Sequence, residues 1–277
     1  MNINPVAFNL FGKIEIRWYG ILIAAGLILA IVLSYYIAKY RKLKSDEIIN
    51  FAPFAIIGGI IGARLLHVIV NWSFYAKHPS YIFAYRQGGL AIQGAAIGGI
   101  IALIIFARVR KLSFWAYADA IVPGLAIAQA IGRWGNFFNQ EAFGRPTSSR
   151  IGIYIAPENR PPDYMNSQYF HPTFLYESIA NLVLFGILIF MHYWFRKRPD
   201  KYPNGLILNT YLIVYSLYRI FIESVRIDSS YVGPIKVVYI ISGVTIVAAL
   251  FIANTLINKF IEKKKEQESA EQEKQEK

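Results

Sequence analysis

The chain has 277 residues, of which 55% are hydrophobic and only 17% are charged, and its mean hydropathy is +0.37. This composition is too apolar for an ordinary soluble domain of this length, so the lipid bilayer is the expected solvent. The formal net charge of +12 would also suit a nucleic-acid-binding protein, and the positions of the charges decide between the two. The sequence has no cysteine, which excludes disulfides, a thiolate nucleophile on this chain and cysteine-ligated metals.

Seven apolar runs are long enough to cross the hydrocarbon core of a bilayer, which takes about 20 residues. They lie near residues 18–38, 51–71, 90–107, 114–131, 172–195, 205–223 and 235–258. The sequence therefore predicts an all-α polytopic membrane protein with about seven transmembrane helices. We expect a single transmembrane domain over residues 1–260, an external loop at about 133–170 that forms a small cap, and a charged cytoplasmic tail over 261–277.

Every second connection between these runs is basic. Lysine and arginine cluster at residues 39–44, 108–111, 196–201 and 259–265. Because short cytoplasmic loops carry an excess of these residues, the pattern predicts an external N-terminus and a cytoplasmic C-terminus. It also assigns the positive charge to the membrane surface, so we expect no nucleic-acid partner. We see no internal repeat, which weakens an inverted-repeat transporter interpretation.

Polar and ionisable side chains gather towards the predicted outer ends of the helices. Such groups are costly at membrane depth unless they are paired or wetted, so each one indicates a functional site. The group comprises Arg64 and His67 in the second run, Gln93 at the start of the third, Arg133 and Asn136 after the fourth, Glu177 in the fifth, Arg219 and Glu223 in the sixth, and Arg226 nearby. The arginines outnumber the two embedded carboxylates, which leaves positive charge to hold an anion. A guanidinium fork suits phosphate, and a lipid headgroup is the anion most available at this depth.

Two further patterns concern packing. Glu177 has Thr173 and Asn181 four residues to either side, so the three share one helical face. A structural ion pair is the alternative interpretation of Glu177 and of Glu223. Glycines in the second and third runs form small-xxx-small faces, which predict a close approach of two helices; the main positions are Gly58, Gly62, Gly94 and Gly98.

One segment, GRWGNFFNQEAFG at residues 132–144, resembles the signature of the bacterial phosphatidylglycerol:prolipoprotein diacylglyceryl transferases. The similarity continues in RWYG at 17–20, GGL at 88–90, HPT and LYE within 171–177, YR at 218–219, and then Glu223 and Arg226. These motifs extend over most of the chain. The family's topology, seven helices with an external N-terminus, agrees with the charge pattern.

The resemblance implies a catalytic domain that moves the diacylglyceryl group of phosphatidylglycerol onto the lipobox cysteine of a prolipoprotein and releases glycerol phosphate. This is the first step of bacterial lipoprotein maturation and implies a multi-pass protein of the bacterial cell membrane. The implied partners are phosphatidylglycerol, the prolipoprotein signal peptide and membrane lipids, with no metal and no cofactor. The implied catalytic residues are Tyr19, Arg133, Asn136 and Arg219. Substrate binding involves Arg133, Arg219 and Asn136, together with Gly144, Gln93, Glu141, Glu223, Arg226 and His171.

Residue 93 departs from the family pattern, since many members have a histidine where this chain has Gln93. Glutamine cannot accept a proton at neutral pH, so we expect Gln93 to orient a headgroup or a thiol rather than act as a base. The base is left open among His171, Glu141 and His67.

Rival classes fit less well. A lipid or anion transporter should have polar groups leading to the inner side, whereas the inner halves of the runs look almost purely apolar. A prenyltransferase-type enzyme needs an aspartate-rich metal motif, and Asp119 stands alone in its helix. A noncatalytic scaffold would give no reason to bury surplus arginine.

Overall fold

The computed structural model describes residues 4–12, 14–84, 88–198 and 201–275, and seven of its helices are long and apolar enough to cross a membrane. They are α1 (Trp18–Tyr40), α2 (Asp46–Val70), α4 (Ile92–Val109), α5 (Phe114–Asn139), α6 (Thr173–Arg196), α7 (Leu206–Val225) and α8 (Val237–Gln275), with a one-turn helix, α3 (Trp72–Tyr75), after α2. The prediction of seven transmembrane helices in an all-α protein is confirmed for the part of the chain described.

Two helix ends lie beyond the apolar runs that predicted them. The predicted fourth run stops at residue 131, but α5 continues to Asn139, so Arg133 and Asn136 lie within this helix rather than after it. Hydropathy ends the run early because the last turns are polar, although their backbone stays helical. The predicted tail begins at residue 261, but α8 continues without a break to Gln275, supported by an i,i+4 ion pair between Lys264 and Glu268.

Three small antiparallel hairpins accompany the helices. They pair β1 (Val6–Leu10) with β2 (Ile14–Arg17), β3 (Ile153–Tyr154) with β4 (Tyr169–Phe170), and β5 (Tyr231–Val232) with β6 (Ile235–Lys236). The connection between α5 and α6 contains β3 and β4 and has its own apolar core of Phe143, Ile155 and Phe170. This connection, called the cap below, is therefore ordered, and it starts after Asn139 rather than at residue 133. Its external position stays a prediction.

The chain forms two compact units. The first contains residues 1–33 and 121–277, and the second contains residues 34–120. In the first unit, α5, α6 and α7 share a core in which Leu184, Leu188 and Ile207 are at most 1% exposed. The prediction of a single domain over residues 1–260 stays a prediction.

The second unit is built on a close contact between α2 and α4. A Cβ atom on Gly62 would collide with the carbonyl oxygen of Gly94, and one on Gly94 would collide with that of Gly62. Gly98 has the same relation to the carbonyl oxygen of Gly58. The two backbones touch where side chains are absent, as the small-xxx-small pattern predicts.

We predict that Gly98→Ala lowers the apparent melting temperature of the detergent-solubilised protein by several degrees, because overpacking a tight contact costs about 1–3 kcal/mol. Gly99→Ala is the matched control, since a Cβ there would meet nothing within 4 Å. Alanine also favours a helix over glycine by about 1 kcal/mol, so the control should melt at or above the wild-type temperature. Equal melting of both variants would show that the backbone contact does not limit stability.

Candidate active site

Glu177 is the centre of a charged cluster in the first unit. Its side chain is only 1% exposed, and three guanidinium groups reach it. Arg133 Nη2 lies 2.6 Å from Oε2, and Arg219 Nη1 lies 2.9 Å from Oε1. Arg226 Nη1 donates a hydrogen bond to Oε1 at 3.2 Å. One buried carboxylate therefore faces three positive charges, from α5, from α7 and from the segment after α7.

The face of α6 that carries Glu177 is buried at each predicted position. Thr173, Glu177 and Asn181 are all 0% exposed, which confirms that the three share one inward face. Thr173 Oγ1 donates to the carbonyl of Ala142 in the cap, and Asn181 Oδ1 accepts a hydrogen bond from Tyr218 at 2.9 Å. The first three turns of α6 are thus tied to the cap and to α7.

The end of α7 holds the other half of the cluster. Arg219 Nη2 donates to Glu223 Oε2 at 2.9 Å, within one helical turn. Arg226 follows the helix and donates two hydrogen bonds to Asp228, at 2.9 and 2.7 Å. Burial alone would lower the pKa of Arg226. The hydrogen bonds to Asp228 and the negative charges of Asp228, Glu177 and Glu223 have the opposite and larger effect, so the pKa of Arg226 is raised above its usual value. Arg226 therefore stays charged.

Sequence reasoning missed two members of the cluster, Asp228 and Lys236. Lys236 Nζ donates to the carbonyl oxygens of Glu223 and Arg226, the second at 3.2 Å, and so satisfies carbonyls at the end of α7. The acidic residue two positions after Arg226 was a readable signal. The sequence contains no such signal for Lys236, because the turn between β5 and β6 brings this residue back to the end of α7.

The predicted surplus of positive charge is smaller than the sequence indicated. Arg133, Arg219 and Arg226 face the buried Glu177 and Glu223, and the half-exposed Asp228 neutralises a third charge. With Lys236, the cluster holds four positive and three negative groups.

Arg64 was expected to supply part of that surplus, and its donors are engaged by backbone carbonyls although its charge has no carboxylate partner among the ion pairs of the described residues. In the second unit its guanidinium donates to four backbone carbonyls, those of Tyr81, Ile82, Gly88 and Gly89. The guanidinium therefore serves as a hydrogen-bond donor to the backbone that precedes α4. A Cβ on Gly89 would lie 2.6 Å from Arg64 and 2.7 Å from His67, so glycine is needed there, at φ +75°. Four of the five guanidinium donors are therefore occupied by the fold.

The open side of the cluster is polar. Arg133 has a quarter of its side chain exposed, more than either other arginine around Glu177. Its Nη1 approaches Asn136 Oδ1 at 3.5 Å, and Asn136 Nδ2 donates to Glu141 Oε1 at 2.9 Å. Asn139 donates to the same carboxylate oxygen at 3.3 Å. The structure thus links Arg133, Asn136 and Glu141 in one chain of contacts on an accessible surface.

Tyr19 lies against α5 between the positions of Arg133 and Asn136. A Cβ on Gly135 would overlap the Tyr19 ring, so the glycine makes room for it. The neighbouring Trp18 stacks on Phe138, with ring centroids 5.2 Å apart. The start of α1 is therefore fitted to the last turns of α5, and Gly135 is a residue of the site that sequence reasoning did not single out.

Gly144 and His171 lie where the cap meets the end of α7. Gly144 pairs with Arg226 as an isolated β-bridge, and its amide donates to the carbonyl of His171 at 2.9 Å. A Cβ on Gly144 would stand 2.8 Å from the His171 Cβ and 2.9 Å from Val225 Cγ1, so close packing explains the glycine. His171 Nδ1 lies 3.0 Å from the hydroxyl of Tyr176.

Gln93 belongs to the second unit. It is the second residue of α4, as the sequence predicted, and its side chain is exposed.

The helix halves that the sequence predicts to face inside contain two buried polar residues in the first unit. His192 lies near the end of α6 and is 4% exposed, and Asn209 lies near the start of α7 and is 2% exposed. Both lie at the helix ends opposite those that carry Glu177 and Glu223. Asn209 Nδ2 donates to the carbonyl of Gly205, one turn earlier, at 2.7 Å, so this buried amide has a backbone partner.

The fold and the site define a polytopic membrane protein with a compact arginine–carboxylate cluster at the ends of three helices. The model of the prolipoprotein diacylglyceryl transferase family matches residues 5–255, and the chain belongs to that family.

Similar proteins carry the name phosphatidylglycerol–prolipoprotein diacylglyceryl transferase. One from Acaryochloris marina is 46% identical over 83% of this chain and 83% of its own length. One from Trichormus variabilis is 46% identical over 85% and 84% of the two chains, and one from Thermosynechococcus vestitus is 43% identical over 88% and 89%. The resemblance identified from the sequence motifs is confirmed, and the protein is a transferase.

We predict that Gly135→Ala reduces transferase activity strongly, because the added methyl group displaces the Tyr19 ring from α5. Gly132→Ala, one turn earlier, is the matched control, since its Cβ would make only an ordinary 3.4 Å contact with Ile23. Activity is measured at equal amounts of folded protein. Equal activities of the two variants would show that the position of Tyr19 against α5 does not matter for activity.

Proposed function

We propose that the cluster around Glu177 is where this transferase binds phosphatidylglycerol and passes its diacylglyceryl group to the lipobox cysteine of a prolipoprotein. The observation that carries the proposal is the convergence of three guanidinium groups on one buried carboxylate. Guanidinium forks match phosphate oxygens, and here they are already held in place before any lipid arrives.

The phosphodiester of the lipid is held by Arg133 and Arg219. Arg133 offers the most accessible guanidinium, while Arg219 is held between Glu177 and Glu223. Asn136 lies beside Arg133 and supplies an amide donor for a phosphate or glycerol oxygen. Glu223, Arg226 and Gly144 act indirectly, by fixing the end of α7 against the cap.

In the reaction, the cysteine sulfur forms a bond to C3 of the diacylglyceryl group as the bond from C3 to the phosphate oxygen breaks. The electron pair of that bond leaves with glycerol phosphate, and the thiol proton passes to a base. Arginine charge stabilises both the attacking thiolate and the departing phosphate, because both are anionic. Tyr19, whose ring packs against α5 at Gly135, is assigned to donate to or accept from the reacting groups.

Glu177 orients the arginines and is not the base. Three guanidinium groups surround its carboxylate, whose side chain is only 1% exposed, so its oxygens are engaged in ion pairs within the cluster. Glu141 is the base we favour, since it is exposed and linked to Arg133 through Asn136. His171, which contacts Tyr176, is the second candidate in this unit.

The enzyme is a multi-pass membrane protein, and we propose that it resides in the bacterial cell membrane with the cluster on the external side. The basic connections that follow α1, α4 and α6 support this orientation, because such loops stay in the cytoplasm. Phosphatidylglycerol and the prolipoprotein signal peptide then both reach the site from the membrane.

We predict that Arg133→Ala and Arg219→Ala each lower the transfer rate by about two orders of magnitude, the effect of losing about 3 kcal/mol of transition-state stabilisation. Lysine at either position should restore only part of the rate, because it lacks the planar fork. The assay gives purified enzyme phosphatidylglycerol and a lipobox peptide, and follows the mass of the peptide cysteine.

Arg150→Ala is the control for this pair, because Arg150 is an exposed arginine of the cap. It should retain wild-type turnover. Near-normal turnover in the Arg133 or Arg219 alanine variant would refute the phosphate-binding role, whereas a peptide of unchanged mass with the wild type would refute the proposed reaction.

We predict that Gln93→His keeps or raises activity and that Gln93→Ala loses about tenfold, the worth of one hydrogen bond of roughly 0.5–1.5 kcal/mol. Since glutamine does not titrate, the wild type and Gln93→Ala should share one shape of pH–rate profile. If Gln93→Ala is instead as inactive as Arg133→Ala, the side chain does more than orient a substrate.

A further inference from the structure

Two helix ends in the second unit carry the same short pattern. It consists of an alanine, a basic residue, a variable residue and then Arg-Lys-Leu, and it reads AKYRKL at residues 38–43 and ARVRKL at residues 107–112. The two alanines are 0% and 2% exposed. The two copies lie where α1 and α4 end.

Both copies end their helix in the same way. The leucine amide donates to the alanine carbonyl, and the lysine amide donates to the carbonyl of the first basic residue. The N···O distances are 2.9 and 3.0 Å at the end of α1 and 2.7 and 3.2 Å at the end of α4. This pair of bonds is the Schellman motif, in which the residue after the helix cap takes a left-handed conformation.

Lysine stands at the left-handed position in both copies. The φ angles are 59° at Lys42 and 54° at Lys111, where glycine is the usual residue because it has no Cβ. A strained residue that occurs twice, in matching places, points to a need for its side chain. Both lysines are exposed, and no carboxylate of the described residues forms an ion pair with either.

The arginine before each lysine has a different role. Arg41 lies 3.3 Å from Asp119 in α5, and Arg110 donates to both carboxylate oxygens of Glu47 in α2, at 3.1 and 2.6 Å. Each arginine pairs with the helix that follows the other copy. Arg41 of the first copy pairs with α5, which follows the second copy, and Arg110 of the second copy pairs with α2, which follows the first. They hold both copies at the same end of the unit. The arginine charges are used within the protein, and the lysine charges face outward.

We infer that Lys42 and Lys111 form a binding surface for the phosphate of an anionic phospholipid headgroup. Just before the two ends, α1 and α4 expose apolar surface at Tyr36, Ile105 and Val109, which are 61%, 57% and 74% exposed. Such surface faces lipid tails in a membrane, so the lysines that follow stand at headgroup level. The surface uses no residue of the cluster around Glu177, and the inference does not depend on the proposed function.

The test compares lipid binding by the full-length protein in neutral detergent, with phosphatidic acid as the probe and phosphatidylcholine as the neutral lipid. Bound lipid is counted by native mass spectrometry. The variant is Lys42→Asn with Lys111→Asn, because asparagine tolerates the left-handed backbone and the loss of charge is then separated from strain. We expect phosphatidic acid to bind about 25-fold more weakly, since each lysine near an anionic surface contributes about fivefold.

Two controls sharpen the comparison. Lys42→Arg with Lys111→Arg keeps the charge in place and should bind phosphatidic acid like the wild type. Lys263→Gln with Lys265→Gln removes the same charge from α8 and should change the affinity by less than about twofold. The arginine cluster is intact in all variants, so any lipid bound there contributes equally. Wild-type affinity in the asparagine variant, or an equal loss in the α8 variant, would overturn the inference.

Discussion

The first unit depends on one buried carboxylate. An isolated charge in a membrane-spanning helix bundle costs several kcal/mol or more, so Glu177 requires counter-charges. Those counter-charges come from α5, α7 and the segment beyond α7. Meeting this single requirement therefore fixes the relative positions of three parts of the chain.

Other features of the unit follow from that arrangement. α5 has to remain helical beyond its apolar stretch for Arg133 to reach Glu177. The chain has to turn back after α7 so that Arg226 points at the carboxylate, and Lys236 and the β-bridge to Gly144 hold it there. Three like-charged guanidinium groups would repel one another without the glutamate between them. This preorganisation supports the role proposed for the cluster, because the charge is in place before a phosphate would bind.

The second unit uses glycine and arginine differently from the first unit. Its helices α2 and α4 approach through glycine, and its arginines serve backbone carbonyls and buried carboxylates. Arginine suits these tasks because its planar fork makes several directed hydrogen bonds at once. Lysine, a compact and strongly hydrated charge, is left on the surface at Lys42 and Lys111.

The sequence alone determined the seven helices, the inward face of α6 and the family. These follow from properties of residues that are close in the sequence: the length of an apolar run, the helical period and the residues of a motif. Only the tertiary structure decided which charges meet. It placed Arg133 inside α5, assigned Arg64 to backbone carbonyls, added Asp228 and Lys236 to the cluster and fitted Tyr19 against Gly135. The physical reason is that an ion pair such as Glu177 with Arg226 joins residues 49 positions apart, and no local pattern records which distant segment will supply the partner.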